Sequence, residues 1–490
     1  MNVLLILSDS VNRHYLSCYG NDWVRTPNIQ RLADRGIVFD NHFIGSAACM
    51  PARREIWTGR KEFLWRGWGQ IEPFDDHIAR RANALGAYTA ISTDHPHYCD
   101  RSHGYGYIEW FEDRNMIRGQ EGDRRIAPAV REEDLPEWVR SAARYWPLEA
   151  CIRYYRGVMN FQEEEDWPTA GVMRDAATAL ETGADYGNFM VFAEPFSPHE
   201  PWYNPEPYRS MYGPCREDLT CFPPYDWMEG AKTFFREKPE EEMAYLSQQY
   251  AGSLTMVDHH LGKLLDVMDR RNLWDDTVVI FTTDHGHELG ERGVYGKSYP
   301  HWNSHANIPL IICHPGVKKP QRTDAYSTAV DIHATILDVL GDVGYQSPHG
   351  RSLLPVVKGE REQVRDGVLY GTFSQGACWV DDELTFFSGY DNVKQPAYWY
   401  GTNIERSEPA PDAESGRFIP GVDMPVWRYR RTYGYNQPAT SPPHIYARKD
   451  DEQEHNLAGD EKRLARCREK LREVIEEHGA PPETYRRLLL

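Results

Sequence analysis

The sequence has few of the features that mark membrane, nucleic-acid-binding or disulfide-stabilised proteins. Its 490 residues contain no apolar run long enough to span a bilayer, no internal repeat and no low-complexity tract. Lys and Arg number 55 against 74 Asp and Glu, and this net charge of −19 disfavours nucleic acid as a partner because phosphates require basic surfaces. The nine cysteines, an odd number without CxxC spacing, indicate reduced thiols. An anionic substrate would therefore need a local cationic pocket.

The length of the chain predicts one large domain and one smaller domain. We expect a large domain over residues 1–365 and a C-terminal subdomain, a small antiparallel sheet with a terminal helix, over residues 366–490. Long helices are predicted over 136–158 and 239–271. No signal peptide precedes the first predicted strand, so we expect a cytoplasmic protein, or a periplasmic or secreted one if a leader was removed. The sequence does not decide whether the protein forms a homo-oligomer.

Two apolar segments end in potential metal ligands. Residues 2–7 read as a buried parallel strand followed by Asp9, and residues 277–282 read as another, followed by Asp284 and His285. Strand-end residues this far apart in sequence can meet only if their strands are neighbours in one parallel sheet. The alternative for Asp9 is a cap of the following segment.

The segment Cys49-Met50-Pro51-Ala52-Arg53 contains the candidate nucleophile. Pro51 suits the first position of a helix, which would place Cys49 just before the helix N-terminus, where free N–H groups favour negative charge. Arg53 adds a permanent cation on the same side. The alternative is that Cys49 is a buried small hydrophobic residue, as a lone cysteine usually is.

Three further residues are candidates for binding an anionic ester. His199 lies between prolines after a predicted strand over 188–193, which suits a general acid or anion ligand, although a rigid loop with an incidental histidine is the alternative. His95 follows a predicted strand that ends at Thr93, either in a pocket or in a solvated turn. Lys297 follows Gly296 and could reach the site or the surface.

Cys-x-Pro-x-Arg followed by Thr58-Gly59-Arg60 resembles the signature of the sulfatase family, the formylglycine-dependent type I sulfatases of the alkaline phosphatase superfamily. The Asp-His-Gly segment and the Pro-His-x-Pro segment resemble the same family. The resemblance implies an α/β fold, an alkaline-phosphatase-like α/β/α sandwich with a mostly parallel central sheet plus a small C-terminal α+β subdomain. It also implies that a maturation enzyme oxidises the cysteine to formylglycine, whose hydrated aldehyde attacks the ester.

The resemblance assigns roles to residues of this sequence. One divalent metal would be bound by Asp9, Ser10, Asp284, His285 and the side chain at Cys49, and Arg53, His95, His199 and Lys297 would bind or protonate the reacting groups. The family implies Ca²⁺, whereas the imidazole ligand suits Mn²⁺ or Zn²⁺ better. The expected function is hydrolysis of a sulfate ester, of a sulfated carbohydrate or another small organic sulfate.

Two positions depart from the sulfatase pattern. Ser10 stands where a second aspartate is usual, and Thr93 stands where many sulfatases have lysine. These departures resemble the phosphonate monoester and phosphodiester hydrolases of the superfamily, which is the first alternative function. A non-catalytic glycan-binding relative, suggested by the Trp-rich C-terminal span, is the second.

Overall fold

The structure is a computed structural model of the 490-residue chain. It describes residues 1–99, 103–119, 121, 123, 126–225, 232, 234, 236–237, 240–297, 299–404, 410–431 and 438–490. Within these ranges, no helix combines the length and the apolar character that crossing a bilayer requires.

Strands and helices alternate through the N-terminal two thirds of the chain, and short strands dominate afterwards. The strands are β1 (Asn2–Leu7), β2 (Ile37–Phe43), β3 (Ser46–Ala47), β4 (Tyr88–Thr93), β5 (Asp113–Met116), β6 (Phe189–Glu194), β7 (Thr277–Thr282), β8 (Glu288–Leu289), β9 (Tyr295–Gly296), β10 (Leu310–Cys313), β11 (Gln321–Thr328), β12 (Val368–Thr372), β13 (Ala377–Val380), β14 (Leu384–Phe387), β15 (Tyr390–Asp391), β16 (Tyr398–Gly401), β17 (Glu414–Gly416), β18 (Val426–Arg430), β19 (Thr440–Ser441) and β20 (His444–Ala447). The α-helices are α1 (Pro27–Ala33), α2 (Cys49–Thr58), α3 (Ile78–Ala84), α4 (Glu137–Ala142), α5 (Leu148–Val158), α6 (Pro168–Tyr186), α7 (Glu240–Arg270), α8 (Asn303–Ala306), α9 (Ala329–Leu340), α10 (Leu354–Val357), α11 (Glu461–Glu477) and α12 (Pro482–Arg487).

An eight-stranded sheet forms the centre, in the order β11-β2-β10-β7-β1-β6-β4-β5. All its pairs are parallel except those of β10, which runs antiparallel to β2 and β7. The predicted mostly parallel sheet is therefore confirmed. Because β1 lies between β6 and β7, the carboxyl ends of these three strands open at the same edge, where ligands bind in such sheets.

Helices cover both faces of this sheet. Along β1, Leu4 and Ile6 pack into a core with α1, α6 and α7, whereas Val3, Leu5 and Leu7 pack into a second core with α2, α3 and α9. The alternation follows from the two-residue period of a strand. The α/β/α sandwich expected from the sequence is confirmed. Because both faces of β1 are buried, its residues 3–7 are all apolar and do not alternate with polar ones.

A smaller sheet packs beside the site, in the order β20-β14-β13-β12-β3. Its last strand, β3, comes from the segment just before Cys49 and pairs in parallel with β12, Ser46 opposite Gly371. Residues of this sheet and of α11 share one apolar core with Phe43 and Ile44. The division of the chain after residue 365 stays a prediction, but the C-terminal sheet is completed by the loop that positions Cys49.

The structure corrects two predicted helix positions. Helix α2 begins at Cys49 itself, so Cys49 is its first residue and does not precede it, and Pro51 is the third residue. Proline fits there because N–H groups in the first turn have no partner within the helix. The helix predicted over 136–158 is divided into α4 and α5, and Pro147 lies directly before α5. The predicted start at residue 239 lies outside the described residues.

Candidate active site

Three neighbouring strands bring buried acidic side chains to one edge of the central sheet. Asp9 and Asp284 each lie just beyond the end of their strands, β1 and β7, and Glu194 is the last residue of β6. All three side chains are completely buried. Since β1 pairs with both β6 and β7, the three carboxylates converge.

Cys49 and His285 join two of these carboxylates in one cluster. Ligand atoms of Asp9, Cys49, Asp284 and His285 all lie within 4.8 Å of one another, and the Sγ of Cys49 is 3.1 Å from the Nε2 of His285. His285 Nδ1 donates to the carbonyl oxygen of Gly286 over 2.8 Å. Burial lowers the pKa of His285 to about 3, so the ring is neutral and its Nε2 lone pair faces the cluster. Such an orientation suits a metal ligand.

Ser10 ties the two carboxylates together. Its hydroxyl donates to Asp9 Oδ1 over 2.6 Å, and its backbone N–H donates to Asp284 Oδ1 over 3.1 Å. The residue has φ +64°, a left-handed conformation that turns the chain sharply after β1. Its role as a direct metal ligand stays a prediction, since both of its donors orient Asp9 and Asp284.

The guanidinium of Arg53 lies among the three carboxylates. Its Nη2 is 2.9 Å from Asp9 Oδ2, its Nη1 donates to Asp284 Oδ2, and its Nε donates to Glu194 Oε1 over 2.5 Å. Tyr98 also donates to Glu194, over 2.9 Å. Burial opposes the charge of Arg53, but the carboxylates outweigh it and raise its pKa well above the ordinary value. Arg53 therefore holds the acidic cluster together.

Burial and neighbouring charges set the protonation of the cluster. Burial disfavours ionised Asp9, but Arg53, His199 and Lys297 outweigh it and lower the pKa of that carboxyl. Burial, reinforced by Asp9, raises the pKa of the Cys49 thiol well above its usual range. The cluster thus combines an ionised carboxylate with a protonated thiol.

Lys297 approaches Cys49 from a second buried group of charges. Its Nζ lies 3.9 Å from Cys49 Sγ and 3.4 Å from Glu200 Oε1. The other oxygen of Glu200 is 3.1 Å from the Nε2 of His287. His199, 5% exposed, donates from Nδ1 to the carbonyl oxygen of Glu200 over 2.7 Å. Lys297 therefore reaches the site and not the surface, and His199 is held in a fixed orientation.

His95 is a buried residue of the pocket and does not lie in a solvated turn. Its side chain is completely buried, and its Nε2 lies 3.8 Å from Asp9 Oδ2. Its backbone N–H donates to Thr93 Oγ1 over 3.1 Å. Burial and the charge of Arg53 lower the pKa of His95 well below its ordinary value, so the ring is neutral.

Sequence reasoning missed three residues of this site, Glu194, Glu200 and His287. Glu194 could have been found, because it ends a buried strand in the same way as the strands before Asp9 and Asp284. Glu200 and His287 stand in segments that were already singled out for His199 and His285, but no sequence pattern shows that these segments meet.

The residues present fit a divalent cation. Two carboxylates and a neutral imidazole converge, and Asp9 Oδ2 is buried without a hydrogen-bond partner, although Arg53 lies nearby. Asp9, Asp284 and His285 would hold the ion beside residue 49. Oxygen and imidazole ligands are compatible with several divalent metals.

Comparisons with known proteins show the family of this chain. The Sulfatase family model matches residues 1–343. The multifunctional alkaline phosphatase superfamily protein PehA of Trinickia caryophylli is 26% identical over 405 residues, covering 72% of this chain and 76% of that protein. The choline-sulfatase of Rhizobium meliloti (strain 1021) is 25% identical over 389 residues, covering 73% of this chain and 72% of that protein.

Solved structures show the same fold. The phosphonate monoester hydrolase SpPMH from Silicibacter pomeroyi matches with a TM-score of 0.66 and 18% identity, covering 99% of this chain and 96% of that chain. BT4656, in complex with its substrate D-glucosamine-2-N,6-O-disulfate, matches with a TM-score of 0.65 and 17% identity, covering 99% of both chains. Because the family model covers more than half of its length, the chain belongs to the sulfatase family, the sulfuric ester hydrolases of the alkaline phosphatase superfamily.

Proposed function

We propose that this protein hydrolyses the sulfate ester of a carbohydrate or another small alcohol, with residue 49 supplying the nucleophile. The buried cluster of Asp9, Cys49, Asp284 and His285 carries this proposal, because its ligand atoms all lie within 4.8 Å of one another. Lys297 supplies a cation to the same place. The acidic body of the protein therefore contains the local cationic group that an anionic ester requires.

We infer that Asp9, Asp284 and His285 hold one divalent cation. When bound, such an ion withdraws charge from the ester oxygens and lowers the pKa of a neighbouring hydroxyl. The family implies Ca²⁺, whereas an imidazole ligand suits Mn²⁺ or Zn²⁺ better. Ser10 and Arg53 orient the two carboxylates through their own hydrogen bonds.

We further propose that a maturation enzyme oxidises Cys49 to formylglycine. The Cys-x-Pro-x-Arg pattern supports this proposal, and so does the raised pKa of the thiol, since a protonated thiol is a weak nucleophile. The hydrated aldehyde supplies one hydroxyl that attacks sulfur and a second whose deprotonation releases sulfate.

The remaining residues of the pocket stabilise charge and move protons. Lys297, 3.9 Å from residue 49, neutralises negative charge that develops on the ester oxygens. His199 donates from Nδ1 to a backbone carbonyl, so Nε2 is the nitrogen that can pass a proton to the departing alcohol. His95 stays neutral and lies beside Asp9 as part of the pocket lining.

Hydrolysis of a phosphodiester or a phosphonate monoester at the same site is the second candidate. Ser10 in place of a second aspartate and Thr93 in place of lysine favour it. The likeness to a phosphonate monoester hydrolase supports the fold that such a reaction needs. Parallel kinetics on an aryl sulfate and an aryl phosphodiester with the same phenol would decide between the two, because the leaving group is then held constant.

The test compares the wild-type protein with Cys49→Ala, both produced together with a competent maturation enzyme. We expect wild-type protein to hydrolyse an aryl sulfate and to yield a peptide with an aldehyde at position 49 by mass spectrometry. Cys49→Ala should fall to the background rate, since no other side chain replaces the nucleophile. Cys467→Ala, which changes a buried cysteine of α11, is the matched control and should keep full activity.

Two results would contradict the proposal. An unmodified Cys49 in fully active protein would refute the aldehyde, and absence of turnover with every sulfate and phosphate ester would refute the hydrolase. Binding of sulfated glycans by Cys49→Ala and wild type alike, without turnover by either, would instead indicate the non-catalytic relative.

A further inference from the structure

We propose that Glu200 sets the charge of the pocket, so that the site accepts monoanionic esters and discriminates against dianionic ones. Sulfate esters, phosphodiesters and phosphonate monoesters carry one negative charge, whereas phosphate monoesters carry close to two at neutral pH. The inference rests on the proposed function for the identity of the site. It assigns Glu200 a role in specificity that acts through Lys297.

The geometry places the carboxylate of Glu200 directly behind Lys297. One oxygen is 3.4 Å from Lys297 Nζ, and the other is 3.1 Å from His287 Nε2 and 3.5 Å from His199 Nδ1. Glu200 is only 1% exposed, so water does not screen its charge. The same ammonium group lies 3.9 Å from Cys49 Sγ, where the ester would bind. Lys297 is thus shared between the carboxylate and the substrate position.

The segment that carries Glu200 is rigidly held. The backbone N–H of His199 donates to the carbonyl oxygen of Phe196, and the indole N–H of Trp202 donates to that of Pro198. Trp202 is completely buried, and its backbone N–H donates to the carbonyl oxygen of Cys221 over 3.0 Å. These contacts hold the backbone on both sides of Glu200 and so keep its carboxylate beside Lys297.

A count of permanent charges shows why this carboxylate matters. In the described part of the chain, four carboxylates contact the two permanent cations of the site, Arg53 and Lys297, and these are Asp9, Asp284, Glu194 and Glu200. The charges of these two cations and four carboxylates sum to minus two, which a divalent cation would cancel. A neutral pocket attracts a second substrate charge less strongly than a positive pocket does. With the divalent cation bound, loss of the Glu200 charge would change the net charge of the pocket from zero to plus one.

The size of the effect follows from the distance. Glu200 acts on an ester at residue 49 across roughly 7 Å. At this distance, Coulomb's law with an effective dielectric constant of about 20 gives a strong repulsion between the carboxylate and each negative charge of the ester. Removing the carboxylate should therefore favour a dianion over a monoanion by roughly 10- to 50-fold, the lower figure at higher salt.

The experiment measures anion binding and does not depend on turnover. The dissociation constants of sulfate, a dianion, and methanesulfonate, a monoanion of similar shape, are measured by calorimetry for metal-loaded wild type and Glu200→Gln. We expect Glu200→Gln to strengthen the binding of sulfate relative to that of methanesulfonate by at least about tenfold, judged by the ratio of the two constants. Glu200→Asp keeps the charge and should keep the ratio close to that of the wild type.

Glu288→Gln is the matched control. Glu288 is buried nearby, and burial raises its pKa to about 8, so the wild-type side chain is already neutral at pH 7. Its carboxyl accepts a hydrogen bond from the hydroxyl of Ser304 over 2.6 Å. The control variant should leave the ratio unchanged. If Glu200→Gln does not fold, Glu200→Ala removes the same charge and is judged by the same ratio.

A kinetic measurement on the wild type alone adds a test that needs no variant. At pH 8 an aryl phosphodiester should exceed the dianionic phosphate monoester of the same phenol in kcat/KM by tenfold or more, and equal rates would overturn the inference. An unchanged or reversed binding ratio in Glu200→Gln would also overturn it. If the ratio shifts as expected but the wild type hydrolyses no ester, the inference stands and the proposed function fails.

Discussion

Replacing Arg53 with glutamine should make the stability of the protein depend on a divalent cation. In the structure the guanidinium neutralises Asp9, Asp284 and Glu194, all completely buried. Leaving buried carboxylates without their partner costs about 3–5 kcal/mol. A cation held by Asp9 and Asp284 would compensate two of the three carboxylates, so the loss in metal-loaded protein should be less than half as large.

The assay is thermal unfolding of wild type and Arg53→Gln, each with a chelator and with saturating Ca²⁺ or Mn²⁺. For a chain of this length, 1 kcal/mol corresponds to about 1 °C in Tm. We therefore expect Arg53→Gln to unfold about 3–5 °C below wild type with chelator and within about 2 °C with the cation.

Arg54→Gln is the matched control for this prediction. Arg54 is the next residue of α2, is also buried, and pairs with the carboxylates of Glu62 and Asp75, which do not belong to the cluster. Its loss should lower Tm equally with and without the cation. If Arg53→Gln behaves like Arg54→Gln, the guanidinium and the cation do not share carboxylates and the reasoning is refuted.

Two further predictions concern protonation and metal affinity. Burial raises the pKa of Glu288 to about 8 from 4.5, so the native protein keeps a proton that the unfolded chain loses, and stability should fall as pH rises through this window. The Tm of Glu288→Gln relative to wild type should therefore rise from pH 5 to pH 8 and level off above, and a difference independent of pH would contradict this. His285→Ala should weaken cation binding at least about tenfold by equilibrium dialysis. His42→Gln changes another buried neutral histidine and should leave cation binding unchanged. Equal affinities in the two variants would exclude His285 as a ligand.

Sequence patterns predicted the elements of the central sheet better than the contacts made at its edge. The apolar strands before Asp9 and Asp284 are local signals, so their burial and parallel pairing followed from the run of side chains. The start of α2 at Cys49 was missed because proline is tolerated at several positions of the first turn.

Contacts between residues far apart in sequence form the parts of the site that sequence patterns did not predict. No local pattern shows that Glu200 approaches Lys297, or that Ser46 pairs with a strand more than 300 residues later. Nor does one show that Arg53 contacts Glu194. The cytoplasmic location and the oligomeric state stay predictions, because nothing in the fold of one chain determines them.

The most direct test of the account is a crystal structure of metal-loaded protein with the ion located by anomalous scattering. We expect one ion about 2.0–2.6 Å from oxygens of Asp9 and Asp284 and from the Nε2 of His285, and in contact with the side chain at position 49. An ion bound elsewhere, or an ion at the carboxylates that does not touch residue 49, would contradict the account.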